Sequence, residues 1–266
     1  MTTLIPSLLA AALYLGGLLY HIYCLRSRQP LKVDLLRGIG LIALLPHAVS
    51  LYLQLLTPQG LALGFFNAAS LIAWLVIAVT LLSSVRAPVT TLLLGLYPLA
   101  LVSVLLASLQ GAQTATMIAG QPGLLVHVLL SILAYGILTI AAFQAILLAI
   151  QNYQLKHKHP TRLIRTFPPL QTMEQLLFQF LLCGVVLLTL ALASGFVFLD
   201  SMLAQEVAHK TLLSTLAWVV FSILLWGRHF RGWRGSNAIR WTLAGFLLLM
   251  LAYFGSKLVR EFLLPL

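Results

Sequence analysis

The stretch RGIGLIALLPHAVSLYLQLLTPQGLALGFFNAASLIAWLVIAVTLLSSVR, residues 37–86, runs from Arg37 to Arg86 with no formal charge between them. One helix crosses the hydrocarbon core of a bilayer with roughly 20 apolar residues, so this run is too long for one span and long enough for two. The cluster Thr57, Pro58, Gln59 and Gly60 is the only group of turn formers inside it, and the division falls there. The same reasoning divides the next long uncharged run, Arg86 to Lys156, near Gln121, Pro122 and Gly123.

The pattern extends over the whole chain. Of 266 residues, 61% are hydrophobic and 8% charged, against roughly 25% charged in ordinary globular proteins. A soluble fold of this length needs many more charges to cover its surface, which excludes cytosolic enzymes, secreted domains and disordered chains. Cut at turn signals, the sequence gives eight spans: Leu4 to Leu25, Leu35 to Leu56, Leu63 to Val85, Val89 to Leu109, Gly123 to Ile150, Gln175 to Leu199, Thr211 to Trp226, and Ala238 to Val259. The N-terminus lacks the positive region of a cleaved signal, so the first is read as a retained span. With no nameable repeat or linker, residues 1–266 read as one transmembrane domain, an all-α helical bundle.

Orientation follows from the basic residues. Assigning alternate connections to opposite faces puts Arg26, Arg28, Lys32, Arg37, Arg86, Lys156, Lys158, Arg162, Arg165, Arg228, Arg231, Arg234 and Arg240 on one side, and only Lys210, Lys257 and Arg260 on the other. The positive-inside tendency then makes both termini extracytoplasmic. It also accounts for the basic excess without nucleic acid as a partner. Cys24 and Cys183 stand far apart in apolar sequence with no CxxC or CxxCH, which predicts neither a disulfide nor covalently attached haem.

With so few charges inside the spans, the histidines carry most of the chemical information. His127 lies about one turn into the fifth span and His209 at the start of the seventh. In an N-out bundle both begin at the outer face, which predicts two imidazoles at the same boundary. Neutral imidazoles so placed can take the two sides of a haem iron, or join a third ligand around zinc or copper; the alternative is hydrogen bonding to headgroups or a neighbouring helix. His47, after Pro46, falls roughly 18 Å deep by helical rise. An ionisable group there is either functional or satisfied by a partner such as Asn67 or Ser70. His21 is read as interfacial. His157 and His159 alternate with lysines that repel a cation, so they read as a solvated loop. Glu174 suits a helix N-terminus and is expected to pair with Arg162 or Arg165. Asp200 and Glu206 flank His209 and can support its imidazole. Arg228, His229, Arg231, Trp233 and Arg234 form a basic, tryptophan-bearing segment suited to anionic headgroups or to a protein partner. There is no GxxxxGK[ST], HExxH or GxSxG, and no pair of intramembrane carboxylates, so no enzyme class is read and a coupled transporter lacks its ionisable group.

Several longer motifs go further. Pro122-Gly123-Leu124-Leu125-Val126-His127 leading into Leu133-Ala134-Tyr135, Pro168-Pro169-Leu170 with Met173-Glu174, and His209-Lys210-Thr211 through Ala217-Trp218 resemble the integral-membrane cytochrome c assembly family. So do Leu225-Trp226-Gly227-Arg228-His229, Gly232-Trp233-Arg234-Gly235 and Ala252-Tyr253-Phe254-Gly255-Ser256. The resemblance is to the CcsA/HemX-like proteins and within them to the small, eight-span YpjD-like inner-membrane branch. It covers the chain from about Gly120 onward, and the first four spans in layout only. It implies a bacterial inner-membrane protein of cytochrome c-type biogenesis that binds or passes a non-covalent, b-type haem at its outer face. His127 and His209 would be the iron ligands, with His47 a further cofactor-binding residue within the membrane. A membrane or cytochrome-maturation protein would be its partner beside the lipids. No tryptophan occurs between Trp74 and Trp218, so neither outer loop, Gln110 to Pro122 or Asp200 to His209, offers the tryptophan-rich motif of the haem-attaching members. The expectation is therefore haem handling without ligase activity. The alternative is a haem-free membrane subunit that acts through its cytoplasmic basic loops.

Overall fold

The structure is a computed structural model, and it describes residues 3–27, 29–57, 60–109, 122–157, 164, 166–198 and 208–255. Among them are eight long helices: α1 (Leu4–Ser27), α2 (Val33–Leu55), α3 (Phe65–Ser84), α4 (Leu93–Leu109), α5 (Pro122–Lys156), α6 (Leu170–Phe198), α7 (Ala208–Arg231) and α8 (Ser236–Met250). Eight spans of the described chain are long and apolar enough to cross a membrane, as the sequence predicts. The division inside the uncharged run falls where turn chemistry puts it. Two short strands, β1 (Leu56–Thr57) and β2 (Gly60–Leu61), pair antiparallel there, with Leu56 opposite Leu61 and Thr57 opposite Gly60. The Thr57 hydroxyl donates to the Gly60 carbonyl at 2.8 Å, and Gly60 has a φ of 132°, a conformation that favours a residue without Cβ.

Three helix ends extend past the sequence boundaries for identifiable reasons. α5 continues beyond Ile150 to Lys156, because Gln151 to Gln154 are polar but contain no helix breaker. α6 begins at Leu170, directly after Pro168 and Pro169, so Glu174 lies inside the helix rather than at its first residue. α7 keeps Arg228, His229 and Arg231 in its last turn, where cations favour the carbonyl end of a helix.

The helix contacts cluster into two compact units where the composition reads as one bundle: α1 to α4 in the first, α5 to α8 in the second. In the first, α1 packs on α2 and α4, and α3 on α2 and α4, with a lesser contact between α2 and α4. In the second, α5 packs on α6 and α8, and α7 on α6 and α8, so α5 and α7 stand diagonally across a ring. Lipid supplies no hydrophobic drive between helices, so such packing relies on close van der Waals fit. Glycines supply it here. A Cβ on Gly17 would lie 2.6 Å from the Tyr97 ring, and one on Gly40 2.6 Å from its hydroxyl, which donates to the Leu36 carbonyl at 2.8 Å. In the second unit Gly184 receives Leu138, Gly245 receives Phe221 and Gly227 receives Trp233. Beyond Met250, α8 continues as a π-type turn, Leu251–Gly255. Tyr135 of α5 donates to the Leu249 carbonyl just before it and meets the Tyr253 ring edge-on at 5.7 Å.

His21, near the end of the first span, turns inward at 2% exposure, because it falls on the same face of α1 as buried Tyr14 and Gly17, at seven- and four-residue spacings. Cys24 is buried and Cys183 exposed, both as free thiols.

Candidate functional site

The second unit holds the site that the residues best define. α5 opens with Pro122, whose fixed φ suits the first helical position. Gly123 follows, and its missing Cβ lets Phe198 of α6 come so close that a methyl there would lie 2.5 Å from the Phe198 ring. The two helices are therefore drawn together at this end. One turn further in, half-buried His127 reaches across to α6, with Nδ1 2.9 Å from the Ala191 carbonyl oxygen and 3.3 Å from the Ser194 hydroxyl.

That contact settles a chemical question. A carbonyl oxygen only accepts, so Nδ1 carries the proton, and in the neutral imidazole the lone pair is on Nε2. The Ser194 hydroxyl also donates to the Ala191 carbonyl, at 2.8 Å, which holds the acceptor in place. Among the described residues nothing hydrogen-bonds to His127 Nε2. An imidazole tethered through Nδ1–H to a carbonyl, with Nε2 open, is the arrangement that metal-ligating histidines use.

His209 is placed differently. It is exposed, in the first turn of α7, with no hydrogen-bond partner among the described residues. The Trp218 indole donates to the Thr189 hydroxyl at 2.8 Å and fixes the register of α7 against α6. His209 precedes Trp218 by nine residues, and Ala191 follows Thr189 by two, so helical rise puts His209 about two turns further out than the His127 tether. The two imidazoles thus share one end of the second unit, on diagonal helices, but are staggered in depth. Asp200 and Glu206 lie outside the described residues.

His47, in the first unit, is fully buried, and both of its nitrogens are engaged. Nδ1 is 3.0 Å from the Tyr14 hydroxyl and Nε2 3.0 Å from the Ser70 hydroxyl. Ser70 is one of the two partners that the sequence offers, whereas Asn67 donates instead to the Ala62 carbonyl at 2.9 Å. To ligate a metal, His47 would have to break one of these bonds in the buried core. Among the described residues no three His, Cys, Asp or Glu side chains cluster around a metal-sized site, so a three-ligand zinc or copper centre finds no support there.

The remaining candidates are at the opposite end of the second unit or in loops. His157 is exposed, donates from Nδ1 to the Tyr153 carbonyl at 2.8 Å and lies against the Tyr153 ring. Lys158, His159, Arg162 and Arg165 lie outside the described residues, and with them the arginine pair expected for Glu174. Its carboxylate, 7% exposed, accepts the Gly235 N–H at 2.7 Å. Arg228 is half-buried, donating to the Trp233 carbonyl and resting over the Phe178 ring. Sequence reasoning missed Tyr14, Ala191, Ser194 and Gly235 as partners, because each is remote in the chain and either a backbone group or an unremarkable side chain. Only the serine, next to Gly195 and opposite His127 in an antiparallel pair, left a readable signal.

Fold and site together define an integral-membrane helical protein that presents a tautomer-fixed histidine near one end of its second unit. The sequence profile of the cytochrome C assembly protein family matches residues 35–264, and the chain belongs to that family. It is 36% identical over 224 residues to inner membrane protein YpjD of Escherichia coli K12, covering 84% of this chain and 85% of that one. It is also 36% identical over 149 residues to an uncharacterized 28.8 kDa protein of Azospirillum brasilense, covering 54% of this chain and 55% of that one. With protein HemX of Brevibacillus brevis it shares 27% identity over 134 residues, 50% of this chain and 49% of that one. No solved structure matches. This is a multi-pass inner-membrane protein.

Proposed function

We propose that this protein binds haem non-covalently at the extracytoplasmic end of its second unit and hands it on, without itself attaching it to an apocytochrome. His127 would hold the haem iron through Nε2, and His209, exposed in the first turn of α7, is the second residue that would hold it. What carries the reading is the His127 tether: the Nδ1–H bond to the Ala191 carbonyl leaves Nε2 as a lone-pair donor. The donor set fits haem iron, which takes neutral imidazoles, and the surrounding α5 and α6 side chains are apolar. When bound, the iron porphyrin would supply the redox and transfer chemistry; the chain's own residues orient one ligand and leave the other accessible. His47 is assigned a structural part, since both of its nitrogens are already engaged. The absence of a tryptophan from either outer loop, together with the lack of any thiol pair, supports handling over ligation.

The test is the oxidised and reduced absorption spectrum of protein purified in mild detergent from haem-replete cells, beside His127→Ala and His209→Ala. A Soret band lost in His127→Ala is the expected result. A featureless spectrum that stays so after added haemin overturns the proposal and transfers the weight to a haem-free membrane subunit.

A further inference from the structure

We propose that the α7–α8 turn is a docking surface for the phosphate groups of anionic phospholipids. The turn is a built scaffold. Gly232 and Gly235 have φ values of 65° and 55°, in the left-handed region, and bring the chain round in the four residues between Arg231 and Ser236. Three ties then hold it. The Trp233 N–H donates to the Gly227 carbonyl at 3.1 Å, the Arg228 guanidinium to the Trp233 carbonyl at 3.3 Å, and the Gly235 N–H to the buried Glu174 carboxylate at 2.7 Å. The Trp233 ring fills the space over Gly227 and packs on Trp241 with ring centres 5.4 Å apart.

On this scaffold Arg231, Arg234 and Arg240 are exposed, while Arg228 is used internally. Their charge is not neutralised within the described chain. The Glu174 carboxylate is committed to the Gly235 N–H, and the one ion pair among the described residues, Arg37 with Asp34, belongs to the other unit. The surface sits at headgroup level by its aromatic residues. Trp226 and Phe230 are 50% and 68% exposed, and the Arg231 guanidinium lies 5.2 Å above the Trp226 ring. Exposed tryptophan marks the membrane boundary, and arginine forks match phosphate oxygens in pairs. A protein partner would have no need of an aromatic ring set at that depth beneath the charge, so the lipid is the occupant that these observations favour.

Native mass spectrometry of the detergent-purified full chain, titrated with phosphatidylglycerol, phosphatidylcholine and inorganic phosphate, tests this. The wild type is expected to prefer phosphatidylglycerol. R231Q/R234Q/R240Q should weaken that binding by about tenfold or more, since each basic residue at an anionic surface contributes about fivefold. The control R26Q/R86Q/K156Q removes as many exposed charges from helix ends and a turn of the same predicted face and should change binding by no more than about twofold, the scale of a general screening effect. Glu174→Gln keeps all three arginines but loosens the Gly235 tie, and should fall between the two. The substituted arginines are exposed, so thermal melting checks that the fold is unchanged. Equal loss in the control, equal binding of phosphatidylcholine, or inorganic phosphate competing as well as the lipid would each overturn the proposal. So would an acidic protein that co-purifies with the wild type and is lost from the triple variant.

Discussion

The two units build similar four-helix rings around histidines that end up in opposite chemical states. In the first, His47 is clamped at both nitrogens by Tyr14 and Ser70, and nothing on the ring is left to offer. In the second, His127 is clamped at one nitrogen only, by a backbone carbonyl that fixes the tautomer. What separates the two imidazoles is the count of engaged nitrogens, and the nature of the acceptor decides which nitrogen remains.

The sharpest way to break this comparison is His127→Ala, which is expected to abolish retained haem while leaving the melting temperature near the wild-type value; haem retained at wild-type stoichiometry would erase the distinction. His47→Ala should do the reverse. It strands the Tyr14 and Ser70 hydroxyls in a fully buried core, at a cost of about 2–4 kcal/mol, seen as a lower melting temperature in detergent, with haem per folded molecule unchanged. A smaller effect is expected from Ser194→Ala, which removes one support of the carbonyl that holds His127. Outer supports of ligating histidines are worth about 10–100-fold in affinity, and this one, with the carbonyl still present, should fall at the lower end in a haem titration. His209→Ala should lower haem retention in part and alter the reduced spectrum, because the better-held His127 remains. At the bottom of the scale stands Asp34→Asn. Asp34 is 97% exposed and its pair with Arg37 is a surface one, while Arg37 keeps its bonds to Ser84, so no change in melting temperature is expected.

The two units also differ in how far the chain could be read ahead of its structure. The eight spans were legible throughout, because turn residues such as Thr57 to Gly60 interrupt apolar runs of fixed length, and that signal is local. Ser70 was legible as a partner for His47, being a small polar residue at matching depth on the next helix. Tyr14 was not, since nothing local in α1 says which helix its hydroxyl will face, 33 residues away. The burial of His21 was legible in principle from its spacing to Tyr14 and Gly17, which puts the three on one face of α1. The tether of His127 is a backbone carbonyl 64 residues on, and carbonyls leave no mark in a sequence. Glu174 illustrates the same limit, because its partner is the N–H of a glycine in a turn 61 residues away.

Tyr97 has a consequence for how the protein is made. Its ring and hydroxyl occupy the space left by Gly17 on α1 and Gly40 on α2, so one side chain from α4 wedges the first two helices into their final spacing. Membrane helices are delivered in chain order, and α4 comes last in its unit. The space at Gly17 and Gly40 is therefore filled from within the chain only when the fourth helix arrives. A nascent chain halted after α3 is expected to remain open to protease at the α1–α2 connection, and one released after α4 to resist it.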